Sequence, residues 1–380
     1  MARTYGFLST YPPTQCGLAT FSSALRRHLT TPWSTGSNDV VRVVHDPSPS
    51  DRPEVVHQLV NGTPGGANAA AAALNRTDVA IVQHEYGIYG GPDGEDVIEV
   101  LAGLRVPAIV VLHTVLGSPT RNQRRVLNEV IAHADAIVTM SDTAAHRLLD
   151  GYTVPEPANL IVIPHGAVTA KHTGGTPGQA SSRPMILTWG LLGRGKGIEW
   201  AIPAIAGLRG LTPPPRYLVA GQTHPQVLLH EGEAYRASLI AQAGAAGVAD
   251  LVEFDSVYRD DATLAELVRQ ADVVLLPYDS PEQVTSGVLI EAVAARRPVV
   301  ATRFPHAVEL LSGGAGLLVP HRDPKAITAA LLRVLTEPGL AAGMAAKATS
   351  LAPSLRWPAV AARYRELADS LVASRTDLPV

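Results

Sequence analysis

Two short stretches of this 380-residue chain hold residues spaced for anion and hydroxyl chemistry. In "TWGLLGRGKGIEW", residues 188–200, a strand-like run gives way to a glycine-rich loop carrying Gly190, Arg194 and Lys196 before a helical segment begins. Glycine lets backbone approach a ligand, a helix start offers unpaired N–H groups, and two cations would neutralise a diphosphate without a metal. The spacing is not that of a P-loop, which argues against an ATPase, and the plain alternative is a tight turn with solvated cations. In "SPEQVTSGVLIEAVAARRPVV", residues 280–300, Ser286, Gly287 and Val288 open a helix. Glu291 follows on the Gly287 face and leans back toward the helix start. One helix could then hold a phosphate with its end and a hydroxyl with its carboxylate. Taken alone, Glu291 reads as an exposed helix glutamate paired with Arg296 or Arg297. Gln283 stands eight residues before it, a neutral amide that donates and accepts where a carboxylate would only accept.

The first half of the chain offers fewer such groups. His113 closes the apolar run "AIVVLHT", and Arg121, Arg124 and Arg125 follow at helical spacing. A lone histidine there is more often structural than catalytic, while the basic face suits an anionic acceptor or a lipid surface when it is not simply solvated. Gly17 follows a Pro-rich loop and opens a helix, where it is either a backbone approach to a ligand or a turn glycine. The loop "QHEYGIYGGPDGED" carries Glu85 and Tyr86. Cys16 is the single cysteine, so no intramolecular disulfide forms and a reducing cytoplasm is the simplest setting. The 13 histidines fall in no ligand-like spacing, and no metal is expected.

Positioning these groups requires buried strands. Val- and Ile-rich runs alternate with Ala- and Leu-rich helical stretches, the pattern of repeated βαβ units, so the expected class is α/β with two doubly wound, Rossmann-like domains. Six strand runs are read in each half: "TYGFLST", "VVRVVHD", "VAIVQHE", "AIVVLHT", "AIVTMS" and "LIVIPHG", then "MILTWG", "RYLVAG", "LVEFDS", "DVVLLPY", "PVVATRF" and "GLLVPH". Residues 1–170 make the first domain, a Gly/Ser/Thr/Pro-rich linker covers 171–184, and 185–355 make the second. A closing helix over 356–375 has Trp357, Val360, Tyr364, Leu367 and Leu371 on one face and could pack on either domain. Ligands of such sheets sit beyond the carboxyl ends of the strands, and two such edges facing each other make a cleft. A formal charge of −3 with both signs interspersed gives no footprint for nucleic acid. Residues 1–13 lack a signal-peptide core and no apolar run is long enough to span a bilayer, so a cytoplasmic protein, at most peripheral on the membrane, is expected.

In order along the chain, Gly17, His113, "IPHGA", "GLLGRGKG" and the interval from Gln283 to Glu291 resemble the motifs of the retaining family 4 glycosyltransferases of the GT-B fold, and the resemblance covers nearly the whole chain. It implies transfer of a hexose from a nucleotide diphosphate sugar to a carbohydrate or glycolipid hydroxyl, without a metal or other cofactor. GDP-mannose stands slightly ahead of UDP-glucose, because "VVLHT" before a basic helix resembles the bacterial mannosyltransferases. Carried over by position, Lys196 and Arg194 would bind the donor diphosphate together with Gly190 and the amides near Ser286, Gly287 and Val288. Glu291 would bind the ribose, His113 the transferred sugar, and Gly17 the diphosphate from the first domain. Glu85 and Tyr86 are candidates for the acceptor side. The resemblance also implies that the closing helix crosses back to the first domain. Two departures stand out: Leu191 occupies the place of the family's loop arginine, and Gln283 that of its first glutamate. The alternatives are a catalytically silent nucleotide-sugar-binding partner, or a phosphorylase or epimerase on the same scaffold.

Overall fold

The computed structural model describes residues 3–30, 38–155, 159–168 and 183–376. The chain divides into two compact units, Met1–His165 with Trp357–Val380, and Gly166–Arg356. Each is built on a parallel sheet, and the expected pair of Rossmann-like α/β domains is borne out. The linker expected at 171–184 falls, apart from Arg183 and Pro184, outside the described residues.

In unit 1 the strands are β1 (Tyr5–Ser9), β2 (Asp39–Val44), β3 (Val55–Val60), β4 (Val79–His84), β5 (Ala108–Leu112), β6 (Ala136–Thr139) and β7 (Leu160–Val162). They lie in the order β3-β2-β1-β4-β5-β6-β7. The helices are α1 (Gly17–Leu29), α2 (Gly66–Leu74), α3 (Asp96–Ala102), α4 (Arg121–His133) and α5 (Asp142–Gly151). β1, β4 and β5 are buried along their whole length, as expected of strands covered on both faces, which is why they read as unbroken apolar runs. β3 went unread in the sequence: its "VVHQLV" carries His57 and Gln58 at the sheet edge, and only one of its six residues is fully buried.

Unit 2 contains β8 (Met185–Trp189), β9 (Arg216–Ala220), β10 (Val252–Asp255), β11 (Val273–Leu276), β12 (Val299–Thr302) and β13 (Gly316–Val319), in the order β10-β9-β8-β11-β12-β13. Its helices are α6 (Ile198–Ala206), α7 (Pro225–Glu231), α8 (Ala234–Ala245), α9 (Asp261–Gln270), α10 (Gly287–Ala294), α11 (Pro305–Leu311), α12 (Pro324–Thr336) and α13 (Leu340–Leu351). One core packs Ile202, Ile205, Leu239 and Leu331 against the sheet, and a second gathers Leu187, Leu276, Ile290 and Phe304. In both units strand order reverses beside the first strand, at β1/β4 and at β8/β11, the position where doubly wound sheets bind ligands.

The last helix, α14 (Trp357–Thr376), belongs to unit 1 and packs on α1. Its buried stripe is Trp357, Val360, Ala361, Tyr364 and Ala368. The stripe is turned from the expected face, since Leu367 and Leu371 are only half-buried. Arg365 donates to the His28 carbonyl at 2.9 Å, and Arg375 grips the Asp135 carboxylate at 2.8 and 2.9 Å.

Candidate functional site

At the carboxyl end of β8 the chain turns sharply through three glycines with left-handed backbone, Gly190 (φ +114°), Gly195 (φ +89°) and Gly197 (φ +67°). A Cβ on Gly197 would stand 1.8 Å from the Pro277 carbonyl oxygen, so this loop can lie against the end of β11 only without a side chain there. Asp279 N–H and the Ser280 hydroxyl both donate to the Gly195 carbonyl, at 2.8 and 3.2 Å, fastening the glycine loop to the segment that precedes α10.

Lys196 is thereby held over Tyr278, its Nζ 4.5 Å from the ring centroid and 3.3 Å from the phenol oxygen. A Cβ placed on Gly190 would lie 3.7 Å from both Lys196 Nζ and Val288 Cγ2. The structure therefore brings Gly190, Lys196 and Val288 to one spot at the sheet's switch point. At the start of α10 Ser286 caps the helix, its hydroxyl accepting from Leu289 N–H at 3.2 Å. Gly287 and Val288 are the first two residues of α10, where backbone N–H groups have no intrahelical acceptor. A cation close to the first turn of a helix suits an anionic oxygen group.

Three expectations for this unit need correction. The Ser286 amide is not free for a ligand, because it donates to Nδ1 of the buried His306 at 2.9 Å. Arg194 does not share the Lys196 position: its guanidinium forms a double hydrogen bond to Glu231 at 3.0 and 3.3 Å, lies over the Tyr235 ring and is largely exposed. Glu291 is not a solvated helix glutamate paired with Arg296 or Arg297. It accepts the Trp189 indole N–H at 3.1 Å, and burial pushes its carboxyl up to about 7, against the pull of that indole. Arg297 instead donates to the carbonyls of Arg269 and Ala271, each at 3.2 Å.

Gln283 turns its amide onto its own loop, Nε2 donating to the Thr285 carbonyl at 3.1 Å. Its backbone carbonyl accepts from His306 N–H at 3.4 Å. His306 and Trp189 were not singled out in the sequence, since nothing in their spacing signals that one braces the α10 entry and the other the Glu291 carboxyl.

In unit 1 the expected residues also meet at a sheet edge. His113 follows β5, and its Nε2 lies 2.7 Å from Gln83 Oε1, to which the N–H donates. Burial, with His165 and His84 nearby, lowers its pKa to about 3, so the ring is neutral. Glu85 accepts from the Thr114 hydroxyl at 2.5 Å and from Tyr86 N–H at 3.0 Å, while burial raises its carboxyl. Tyr86 stands edge-on to His84 with centroids 5.1 Å apart. Gly17 is the first residue of α1, and a Cβ added to it would meet nothing within 4 Å. One turn later Phe21 packs edge-on against His113 at 5.1 Å. Cys16 is the cap of that helix, its Sγ accepting Ala19 N–H at 3.4 Å. Beyond His113, a cavity of about 510 Å³ is lined by Leu116, Gly117, Arg124, Thr143, His146 and Arg147, among others.

The basic face of α4 is largely used internally. Arg125 binds Glu95 and Glu129, and Arg124 donates to the Gly151 carbonyl and sits over the Tyr152 ring. Among the described residues no helix is long and apolar enough to cross a membrane, and no three His, Cys, Asp or Glu side chains are grouped to hold a metal.

Comparison with known proteins fits this geometry. Residues 183–337 match the family described as glycosyl transferases group 1. The D-inositol 3-phosphate glycosyltransferase of Acidothermus cellulolyticus is 31% identical over 275 residues, 66% of this chain and 59% of that protein. The chain thus spans less than two thirds of that relative's length. The phosphatidyl-myo-inositol mannosyltransferase of Mycolicibacterium smegmatis is 35% identical over 113 residues, covering 30% of this chain and 29% of that protein. Among solved structures, Anabaena HepE in complex with UDP superposes with a TM-score of 0.75 at 16% identity, over 97% of this chain and 100% of that one. The sucrose-phosphate synthase of Thermosynechococcus elongatus gives 0.76 at 19% identity, over 98% and 100%. These likenesses show the GT-B type of fold.

Proposed function

We propose that this chain, whose residues 183–337 match the family of group 1 glycosyl transferases, moves a hexose from a nucleotide diphosphate sugar to a carbohydrate or glycolipid hydroxyl with retention of anomeric configuration. The observation that carries the reading is the meeting of Lys196 Nζ, Gly190 and Val288, in the first turn of α10, at the switch point of unit 2. That set of donors suits the diphosphate of a departing nucleotide, whose developing charge a fixed cation and helix end stabilise without reorganisation. Glu291 then takes the ribose hydroxyls, and Trp189 fixes its orientation. On this reading no metal or other cofactor is required.

In unit 1, neutral His113 meets the transferred sugar, Gly17 lets the diphosphate approach α1, and Glu85 and Tyr86 belong to the acceptor side. A phosphate oxygen of the leaving group takes the acceptor proton, so no separate general base is assigned. Mannose from GDP-mannose is the first donor to try and glucose from UDP-glucose the second; a mannosyltransferase among the relatives supports that order. The relatives named for inositol phosphates support a polyol acceptor. A cytoplasmic protein with at most peripheral membrane contact fits this role.

A second reading, a silent nucleotide-sugar-binding partner, is favoured by one observation: Gln283 spends its amide on the Thr285 carbonyl. Isothermal titration with GDP, UDP and ADP in the absence of metal, on the wild type and on Glu291→Ala, tests the donor site. Tight binding of one nucleotide that collapses in the variant supports it and names the base; no binding of any of the three removes it. Nucleotide binding without turnover across a broad acceptor screen favours the silent partner.

A further inference from the structure

Tyr278 lies just beyond β11 and is 1% exposed. Its ring is stacked on Phe304, with centroids 5.2 Å apart and planes 25° from parallel. Its backbone carbonyl accepts from the Thr302 hydroxyl at 2.6 Å and from His321 Nδ1–H at 2.9 Å. Core packing on the ring and two hydrogen bonds on the backbone leave this side chain little freedom. Lys196 Nζ stands 4.5 Å from the centroid of the same ring and 3.3 Å from its hydroxyl oxygen. An ammonium can only donate, so the phenol oxygen accepts from it.

Among the described residues no carboxylate pairs with Lys196. Asp279, whose amide bonds to the loop at Gly195, has its carboxylate held by Arg322 at 2.8 and 2.9 Å, and Glu231 is held by Arg194. A carboxylate would fix a lysine but cancel its charge. An aromatic face attracts the ammonium through the ring quadrupole and leaves the net charge intact. That charge is felt nearby: burial first, and then Lys196, lower the pKa of His224, the cap of α7. Lys196, Gly190 and Val288 are each only partly buried, so a solute can reach the spot where they meet. A lysine stem is long and flexible, and aiming its charge costs rotamer entropy that a fixed ring removes before any ligand arrives.

We infer that Tyr278 is a positioning residue, whose ring and hydroxyl fix Lys196 at the donor site while leaving its charge free for the departing diphosphate. What Lys196 binds rests on the proposed function; the hold of Tyr278 on Lys196 does not.

The test is calorimetry with GDP and UDP on the full chain, for wild type, Tyr278→Leu and Tyr278→Phe, each with Lys196 intact and with Lys196→Ala. Tyr278→Leu should weaken the better-bound nucleotide by about threefold to tenfold, the scale of one long side chain newly ordered on binding. Tyr278→Phe keeps the ring and should fall between. With Lys196→Ala the same changes should alter affinity by less than about twofold, because Tyr278 acts through the lysine. Equal weakening in both backgrounds overturns the inference and makes Tyr278 a packing residue. Tighter binding by Tyr278→Leu overturns it as well, since the ring would then compete with the ligand for the ammonium. Tyr278→Phe preserves the core and carries the comparison if Tyr278→Leu does not fold. Proton–carbon NMR on lysine-labelled protein reads the hold itself, and the chain has four lysines, Lys171, Lys196, Lys325 and Lys347. A ring face shields what lies over it, so one ε-methylene signal should stand upfield, vanish in Lys196→Ala and rejoin the others in Tyr278→Leu. Four coincident signals overturn the hold. A shifted signal in a protein that binds neither nucleotide removes the proposed function and leaves the hold of Tyr278 on Lys196 standing.

Discussion

Trp189 donates its indole N–H to the Glu291 carboxylate at 3.1 Å, joining the last residue of β8 to the middle of α10. The two stretches most suggestive in the sequence are thus bonded to each other through groups that lie outside both glycine loops. Burial has pushed this carboxyl up to about 7. A raised folded-state pKa means that the protonated form fits the fold better. Its stabilising contribution is complete below the unfolded value near 4.5 and is lost as pH rises through about 7. At about 1.4 kcal/mol per unit the loss is at most roughly 3 to 4 kcal/mol. Glu291→Gln keeps an acceptor for Trp189 and carries no charge. Urea midpoints from pH 4.5 to 8 should therefore fall more steeply for wild type than for the variant, with the variant the more stable above pH 7. Parallel curves would mean that the carboxylate is solvated.

Lys196 and Arg194 separate cleanly in their surroundings. Lys196 sits over Tyr278 beside the open end of α10, while Arg194 is exposed and doubly bonded to Glu231. Lys196→Ala should weaken nucleoside diphosphate binding by about tenfold to a hundredfold, the scale of a charge-assisted hydrogen bond. Arg194→Ala should stay within about threefold, since exposed ion pairs contribute little. Equal losses in a calorimetric titration would show that Arg194 leaves Glu231 for the ligand.

The glycines divide by what a Cβ would meet. At Gly197 it would lie 1.8 Å from the Pro277 oxygen and at Gly221 2.0 Å from the Gly190 oxygen, both on left-handed backbone, whereas at Gly17 there is nothing within 4 Å. Gly197→Ala and Gly221→Ala should each cost at least 2 kcal/mol by denaturant unfolding. Gly17→Ala should melt like wild type. If a nucleotide is drawn to the start of α1, Gly17→Ala weakens its binding at unchanged stability; unchanged binding removes Gly17 from the site.

The contrast between what could and could not be read in the sequence has a physical pattern. β4 and β5 are legible because strands buried on both faces must be continuously apolar. β3 is not, because its edge position lets His57 and Gln58 interrupt the run. The glycine loop of Lys196 is legible because a left-handed turn against a neighbouring strand demands glycine at fixed places. Partners distant in sequence were hidden. Glu231 captures Arg194 from 37 positions away, His306 takes the Ser286 amide from 20, and Trp189 reaches Glu291 across 102. Local spacing identified the groups able to do chemistry, and tertiary packing decided which of them remain free to do it.

His113 supplies the last prediction. Its Nε2–H donates to Gln83 at 2.7 Å, while burial first, then His165 and His84, lower its pKa to about 3. A depressed folded-state pKa in a histidine contributes stability above the unfolded value near 6.5, lost as pH falls toward the folded one. The ring should then show one neutral tautomer by nitrogen NMR and no titration down to about pH 5. Gln83→Glu would set a carboxylate against the same N–H and bring the titration up into the observable range; an unmoved ring would mean that the Gln83 contact does not govern it. If His113 touches the transferred sugar, His113→Ala should lower the transfer rate at least a hundredfold with nucleotide affinity within threefold. Gln83→Ala, which leaves the ring in place but its tautomer unfixed, should fall between the two. A His113→Ala enzyme of near wild-type rate would return this histidine to a structural role at the end of β5.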